Sequence, residues 1–337
     1  MAVEIISTGS YLPARRVTND ELSKTVETND EWIRSHTGIG SRHIASEEEA
    51  TSDLAVKAAL AAFETLAPGN PESVAETIDL VIVGTSSPDY YGFPSVACIV
   101  QDKLGIKKAG AFDLVAACSG FAYSLEAAAG MLSLGNRKRA LVIGADTLTR
   151  ITDWEDRGTC VLFGDGAGAA ILERTDAPAE GPQKRGLIHT VLGSEGNGAL
   201  ELYCEKGGSR NPYKDGETIE KKTHIYMNGR AVYTFAVRAF TDTMERLLEE
   251  TGLTMADIKK IVPHQANMRI IQAAAKRLGI PEDKFFMNIE KYANTSNATI
   301  PIALDEYART GELHKGDIIM TVGFGGGLTY AGNIIVW

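Results

Sequence analysis

The sequence predicts an α/β protein, a layered α/β/α/β/α sandwich built from two like halves. Three observations predict it. Apolar stretches such as Leu80–Gly84 and Ala140–Gly144 run without polar interruption, as strands buried on both faces do. Helical patterns alternate with them, which implies sheets covered by helices. The third observation is an internal repeat. Gly135 lies 17 residues after Cys118, and Gly311 lies 17 residues after Asn294. Each interval reads as one helix, and each is followed by an apolar strand.

Taken in order, Met1-Ala-Val-Glu-Ile-Ile-Ser reads as a first strand, with no basic leader before it. Ile78–Gly84 is a strand preceding a loop. Phe112–Ala117 reads as a buried strand, and Phe121, Leu125, Ala128 and Leu132 recur at helical steps after it. Cys118 therefore stands at a strand-to-helix junction. Ala140–Gly144 is the next strand, and Gly164-Asp-Gly-Ala-Gly-Ala-Ala-Ile-Leu172 is a Gly-rich turn with a closing strand. The stretch Arg174–Pro182, rich in Pro, Gly and charge, reads as the surface connection between halves. This gives an N-terminal half over 1–174 and a C-terminal half over 175–337. The second half repeats the pattern with Ile258–His264, a helix after Asn294, Ile318–Gly323 and the closing Gly325–Val336. Residues 195–223 form a polar excursion. It reads either as a wall near a substrate entrance or as a solvated loop, with Glu220-Lys-Lys222 as its most charged part.

At 337 residues the chain exceeds the usual single core, and 44% hydrophobic content supports a large one. No apolar run approaches the roughly 20 residues that span a bilayer. A net charge of −10 argues against a broad nucleic-acid surface. Cys98, Cys118, Cys160 and Cys204 have no metal-type spacing, so a reduced, cytoplasmic chain without a metal is expected. Cys98, Cys160 and Cys204 are read as packing residues.

Chemistry-bearing candidates lie at element ends. A cysteine at a helix start meets free N–H groups, which are expected to lower its pKa and ready it to carry an acyl group. The competing reading is a buried structural cysteine. Ile261-Val-Pro-His264 places a histidine after a short strand, and Tyr292-Ala-Asn294-Thr-Ser places an asparagine before a helix. A lone His or Asn is usually a satisfied polar group. Together with Cys118 they make a nucleophile with two neutral donors. Gly164, Gly166 and Gly168 miss the dinucleotide fingerprint, because Ala169 occupies the third position. No phosphate loop and no Gly-x-Ser-x-Gly elbow is present. Arg269, Lys276 and Arg277 share one face of the helix expected after His264, either solvated or as a landing surface for an acidic partner.

These segments, with Gly9-Ser-Tyr-Leu-Pro13, Asp30-Glu-Trp-Ile33, Thr37-Gly-Ile39, Asp156-Arg-Gly-Thr159, Phe163-Gly-Asp-Gly-Ala-Gly-Ala169 and Gly323-Phe-Gly-Gly-Gly-Leu-Thr329, resemble β-ketoacyl-acyl carrier protein synthase III. This is the initiating condensing enzyme of type II fatty acid synthesis. The resemblance implies a thiolase-like duplicated fold of five layers and a cytoplasmic homodimer. It also implies two half-reactions: acylation of Cys118 by a short acyl-CoA such as acetyl-CoA, then decarboxylative condensation with malonyl-acyl carrier protein. His264 and Asn294 would hold the malonyl thioester oxygen. The backbone N–H groups of Cys118 and Gly326 would form the second oxyanion hole. Trp32 and Arg157 would sandwich the CoA adenine, with Thr28 and Asn267 nearby. Phe93, Tyr233, Phe324 and Leu328 would line the acyl pocket, and the Arg269/Lys276/Arg277 face would dock the carrier. No cofactor beyond the CoA thioester substrate is implied. The chain departs from the pattern at His36, where Arg is common and Arg34 is a candidate substitute. It departs also at Ala293, where Gly is common, and at Asn297, where a small residue is common. The alternatives are a secondary-metabolism synthase with another donor or acceptor, and a non-catalytic binding subunit.

Overall fold

A computed structural model describes residues 1–177, 184–216 and 223–337. The first sheet has five strands: Ala2–Tyr11 (β1), Leu80–Gly84 (β2), Gly110–Leu114 (β3), Arg139–Thr147 (β4) and Asp165–Thr175 (β5), in the order β1-β5-β4-β2-β3. The second has four: Gly186–Ser194 (β6), Ile258–Pro263 (β7), Ile318–Gly325 (β8) and Thr329–Val336 (β9), in the order β6-β9-β8-β7. Four strands of the first sheet have counterparts in the second. In each, two antiparallel pairings (β1/β5/β4 and β6/β9/β8) give way to a parallel one (β4/β2 and β8/β7). The counterpart of β3 in the second sheet is reduced to a single parallel bridge between Ile261 and Phe285.

Helices fill three layers. Thr51–Leu66 (α2) and Val96–Lys103 (α3) cover the outer face of the first sheet, where Leu54, Ala58, Phe63 and Val100 pack on Val81, Val83 and Ile143. Gly120–Ser133 (α4) and Thr299–Arg309 (α7) lie between the sheets. Phe121, Leu125, Ile300 and Leu304 meet Ile82 and Val142 on one side and Val262 and Ile319 on the other. Gly229–Thr251 (α5) and Met268–Leu278 (α6) cover the second sheet's outer face. A shorter helix, Asp30–Thr37 (α1), capped by Asn29, packs near α6. The result is the five-layer α/β/α/β/α sandwich that the alternating pattern predicts. Among the described residues no helix is long and apolar enough to cross a membrane.

Two local expectations change. The segment after Gly110 is not a buried strand. β3 is the sheet's edge, half-buried, and Val115 just beyond it is 82% exposed. Of the three cysteines assigned to packing only Cys160 is buried, whereas Cys98 and Cys204 are exposed. The connection expected near 174–182 and the charged Glu220-Lys-Lys222 fall partly or wholly outside the described residues.

The middle layer fits because glycines let helices touch strands. A Cβ on Gly168 of β5 would stand 2.7 Å from the backbone of Pro301 and Ile302 in α7. Backbone cannot yield as a side-chain tip can, so overpacking there costs about 1–3 kcal/mol. Gly168→Ala is expected to lower the thermal unfolding midpoint by several degrees. A midpoint unchanged in calorimetry would show that α7 shifts freely.

Candidate active site at the junction of the two halves

Cys118 sits in the 3-10 turn Ala117–Ser119 that leads into α4. Asn294 precedes the matching turn, Ser296–Ala298, that leads into α7. His264 follows β7, its backbone N–H held by the Val322 carbonyl at 2.7 Å. The three side chains line one cavity of about 240 Å³, with Tyr233, Asn267 and Phe324 among its other walls. The sequence proposed this trio, and the structure brings it together.

Each member is oriented by a neighbour. Asn294 is pinned to the first half by backbone bonds to Leu162 (2.9 Å) and from Gly164 (3.0 Å). Its Oδ1 accepts the Ser296 N–H at 2.8 Å, which leaves the amide NH₂ as the outward donor. His264 is buried, with Nδ1 2.7 Å from Thr299 Oγ1 and its ring edge-on to Phe324. Cys118 Sγ lies 3.4 Å from Ser296 Oγ, within hydrogen-bond reach. Ala117, Ala293 and Ser296 have φ of 44°, 59° and 51°. Non-glycine residues held at positive φ store strain, and here all of them among the described residues flank reacting groups.

The electrostatics overturn one expectation. Helix-start N–H groups were expected to lower the Cys118 pKa, but burial pushes the thiol up to about 12. The Ser296 hydrogen bond works against this, and the Asp146 carboxylate adds to it. Burial also lowers His264 to about 3, so its imidazole is neutral above pH 4 and supplies no cation to the sulfur. The resting pair is a neutral thiol beside a neutral imidazole.

Asn297 proves to be part of a buried network beneath the site. Its Nδ2 donates to Asp146 Oδ2 (2.8 Å), and Ser86 Oγ and Ser296 Oγ lie 3.2 and 3.3 Å away. Asp146 Oδ1 accepts from Ser86 N–H, Ser87 N–H and two hydroxyls. The larger side chain fits because glycines face it: a Cβ on Gly120 would meet Asn297 Oδ1 at 2.1 Å.

A second cavity, about 370 Å³, opens on the other side of Cys118. Its apolar walls include Val115, Leu148, Ile151, Phe163, Leu202 and Ile225, with Gly326 beside Cys118. None of those six stands out in the sequence as a pocket wall, and Phe163 and Leu202 line the first cavity as well. Apolar residues at strand ends and turns carry no signal that separates a pocket wall from a core position. Of the residues expected in an acyl pocket, Tyr233 and Phe324 line the first cavity instead, and Phe93 and Leu328 line neither. Phe93 is 87% exposed at a loop tip, and Leu328 is turned into the second-sheet core. Gly326 lines the second cavity, but the glycine nearest the Cys118 backbone is Gly325, where a Cβ would lie 2.7 Å from the Cys118 nitrogen. The excursion supplies wall residues: Leu202–Cys204 and Ile225–Met227 pair as a ribbon, and Leu202 touches both cavities.

The first cavity leads toward α1. Arg157 stacks directly on Trp32 at 4.1 Å, and His36 stacks on the same indole at 4.3 Å. The expected sandwich is shut, and a planar ring enters only when Arg157 swings outward. Thr28 Oγ1 is buried without a partner among the described residues. Asn267 caps α6 at Arg269 N–H and donates to the His36 carbonyl, tying α6 to α1. Arg34 does not substitute at His36, because Asp30 and Glu290 hold it at 2.8 and 2.7 Å. Arg269, Lys276 and Arg277 lie exposed on α6 as expected, with Arg269 Nε on the Ser35 carbonyl and Arg277 3.7 Å from Asp242.

Comparison with known proteins follows the same outline. A family model described as 3-oxoacyl-[acyl-carrier-protein] synthase III matches residues 112–196, and its C-terminal companion matches 248–337. The chain is 49% identical to the β-ketoacyl-[acyl-carrier-protein] synthase III of Clostridium acetobutylicum, over 100% of this chain and 99% of that one. It resembles the crystal structure of the Thermus thermophilus synthase III, at 42% identity, 99% coverage of both chains and a TM-score of 0.88. It resembles also the priming β-ketosynthase of the R1128 polyketide pathway, at 34% identity, 99% and 96% coverage and a TM-score of 0.88.

The neutral resting pair makes a measurable prediction. Below its pKa of about 12, the reactive thiolate fraction of Cys118 rises about tenfold per pH unit. Iodoacetamide labelling of Cys118, followed by peptide mass, should climb from pH 7 to 9 without levelling. A plateau below pH 8 would show that the helix start outweighs burial.

Proposed function

The chain belongs to the β-ketoacyl-[acyl-carrier-protein] synthase III family, and we propose that its reaction runs through Cys118, His264 and Asn294. It is a condensing acyltransferase that initiates fatty acid synthesis. The observation that carries the residue assignment is the first cavity, in which one nucleophile faces two neutral donors.

In the first half-reaction, Cys118 sulfur attacks the thioester carbonyl of an acyl-CoA. The new S–acyl bond replaces the CoA–acyl bond, and the thiol proton leaves with CoA. The acyl chain lies in the second cavity, against Leu148, Phe163 and Ile225. CoA reaches the sulfur through the first cavity, past Trp32 and Arg157. In the second half-reaction, malonyl on its carrier protein enters by the same route. Its terminal C–C bond breaks, CO₂ leaves, and the electron pair is held as an enolate. His264 Nε2–H and Asn294 Nδ2–H donate to the enolate oxygen, which lowers the barrier because these donors are already aimed. Neutrality suits this task. A histidine lowered to about 3 stays a donor without charge throughout the working range, and an amide never titrates there.

The enolate carbon then attacks the acyl-Cys118 carbonyl. The tetrahedral oxyanion lies near the backbone N–H groups of Cys118 and Gly326, and its collapse releases 3-oxoacyl-carrier protein. Cys118 regains a proton from solvent. We assign a cytoplasmic location and a homodimer to the chain on the family resemblance. The likeness to a polyketide priming synthase favours a second reading, in which the same site takes another acyl donor.

Acetyl-CoA should add one acyl mass to the Cys118 peptide, and Cys118→Ser should abolish condensation. His264→Ala and Asn294→Ala should keep substantial acylation and lose malonyl decarboxylation by about 10²–10³. Acyl mass on Cys98 or Cys160 with Cys118 free would refute the assignment.

The exposed face of α6 lies beside the first cavity's wall residues Asn267 and Ile270. Changing Arg269, Lys276 and Arg277 together to Glu should weaken use of malonyl-carrier and flatten its salt dependence, since exposed charge is screened over about 10 Å at 0.1 M salt. Initial rates of both half-reactions across a salt series decide this. Equal losses in both would make α6 structural.

A further inference from the structure

We infer that Thr299 sets the tautomer of His264: its hydroxyl donates to Nδ1 and thereby keeps the ring proton on Nε2, facing the cavity. The inference rests on the donor role proposed for His264 and extends it to a residue that touches neither substrate nor sulfur.

A neutral imidazole has a single N–H, and which nitrogen holds it is fixed by the partner of the other. The His264 ring is buried, and Nδ1 lies 2.7 Å from Thr299 Oγ1. Among the described residues no other group is hydrogen-bonded to that ring. Thr299 is itself 2% exposed and is the first residue of α7. A hydroxyl can accept or donate, so the contact alone permits both tautomers. One other acceptor within reach of the hydroxyl could draw it away from Nδ1. This is the Ser296 carbonyl, 3.0 Å from Oγ1. That carbonyl already receives the Thr299 backbone N–H, which closes the preceding 3-10 turn. It is satisfied without the hydroxyl. Nδ1 in the Nε2–H tautomer has no other donor, and an unmade bond to a buried acceptor costs more than a second bond to a satisfied one gains. The hydroxyl is therefore free to turn to Nδ1, 2.7 Å away, when the ring proton sits on Nε2, and the need for an outward donor selects that tautomer.

The chemistry requires the same arrangement. Were the hydroxyl turned to Ser296, Nδ1–H would donate to Oγ1 and Nε2 would present a lone pair to the malonyl thioester oxygen. Two lone pairs repel, and decarboxylation would lose one of its donors. A carboxylate behind the ring, as in a hydrolase triad, would hold Nδ1–H and favour a charged imidazole. A hydroxyl donor does the reverse: it keeps the ring neutral and the outer nitrogen protonated. Thr299 is thus a positioning residue, acting through His264.

The test uses the full-length enzyme labelled with ¹⁵N-histidine. Long-range ¹H–¹⁵N spectra of wild type at pH 7, with His264 assigned by comparison with His264→Ala, should show a protonated Nε2 and an unprotonated Nδ1. A protonated Nδ1 overturns the inference without reference to any Thr299 variant. Thr299→Val keeps the shape and removes the hydroxyl. It should lower the ratio of malonyl decarboxylation to Cys118 acylation by about 10- to 100-fold, the usual loss when the outer partner of a functional histidine is removed. Thr299→Ser should restore the ratio. A ratio unchanged in Thr299→Val, or equal losses in both half-reactions, also overturns it. Failure of the donor role reads out elsewhere, as normal decarboxylation by His264→Ala.

Discussion

The structure depends on one reciprocal contact, in which each half's catalytic turn lies on glycines of the other half's sheet. The turn carrying Asn297 rests on the first sheet, where a Cβ on Gly144 would stand 2.1 Å from the Asn297 carbonyl oxygen. The turn carrying Cys118 rests on the second. There a Cβ on Gly325 would stand 2.7 Å from the Cys118 nitrogen, and one on Gly323 would stand 3.1 Å from the Ser119 Cα. Neither half can place its reacting groups alone. The buried Asp146 carboxylate of β4 locks the arrangement by accepting both the backbone and the side-chain N–H of Asn297. Strain at Ala117, Ala293 and Ser296 is tolerated because these contacts over-determine the two turns.

The same enclosure explains the charge state of the site. Cys118 and His264 are both desolvated, and desolvation favours the neutral form of each: it raises the thiol and lowers the imidazole. The group behind the histidine is the uncharged Thr299 hydroxyl, which supplies no counter-charge to an imidazolium. Electrostatic stabilisation is thereby reserved for charge that appears during reaction, on the enolate and on the tetrahedral oxyanion. Fixed neutral donors in a dry cavity serve such transient charge well, because they need not reorganise when it forms.

The layered fold was legible because it is written as periodicity. Unbroken apolar strands, helical spacing after Cys118 and the equal 17-residue intervals all reflect which faces are buried. Cys118, His264 and Asn294 were legible because strand ends and helix starts can be read in one dimension, and the repeat says which of them face each other. The second cavity was not. Its walls come from Val115, Leu148, Phe163, Leu202 and Ile225, apolar residues that look like any core position until the sheets are closed. Phe324 shows the converse. It was expected around the acyl chain, yet its ring lies against His264 on the other side of the sulfur. Nor could the sequence say that Arg34 is occupied by Asp30 and Glu290, since Glu290 is 256 residues away. The raised thiol pKa is hidden from the sequence for a related reason: a helix start is visible there, whereas burial is a property of the assembled halves.

The two cavities also constrain the order of events. Both border Cys118, and the donors His264 and Asn294 line only the first. If the reaction runs through Cys118 as proposed, an acyl group transferred to the sulfur would leave that first space as it enters the second, where apolar walls favour its chain. CoA can then depart by the way it came, and the emptied channel faces the same two donors that the malonyl thioester requires. Were the acyl chain to remain in the first cavity, it would block those donors and the second substrate with them. On the proposed roles, partition of the space around a single sulfur atom would order acylation, release and condensation. Tyr233 and Phe324, as walls of the first cavity, bound the channel that both thioesters use, and the second cavity's walls meet the acyl chain. On the same proposal, selection of the starter would fall to Leu148, Ile151 and Ile225, which line the second cavity and not the first.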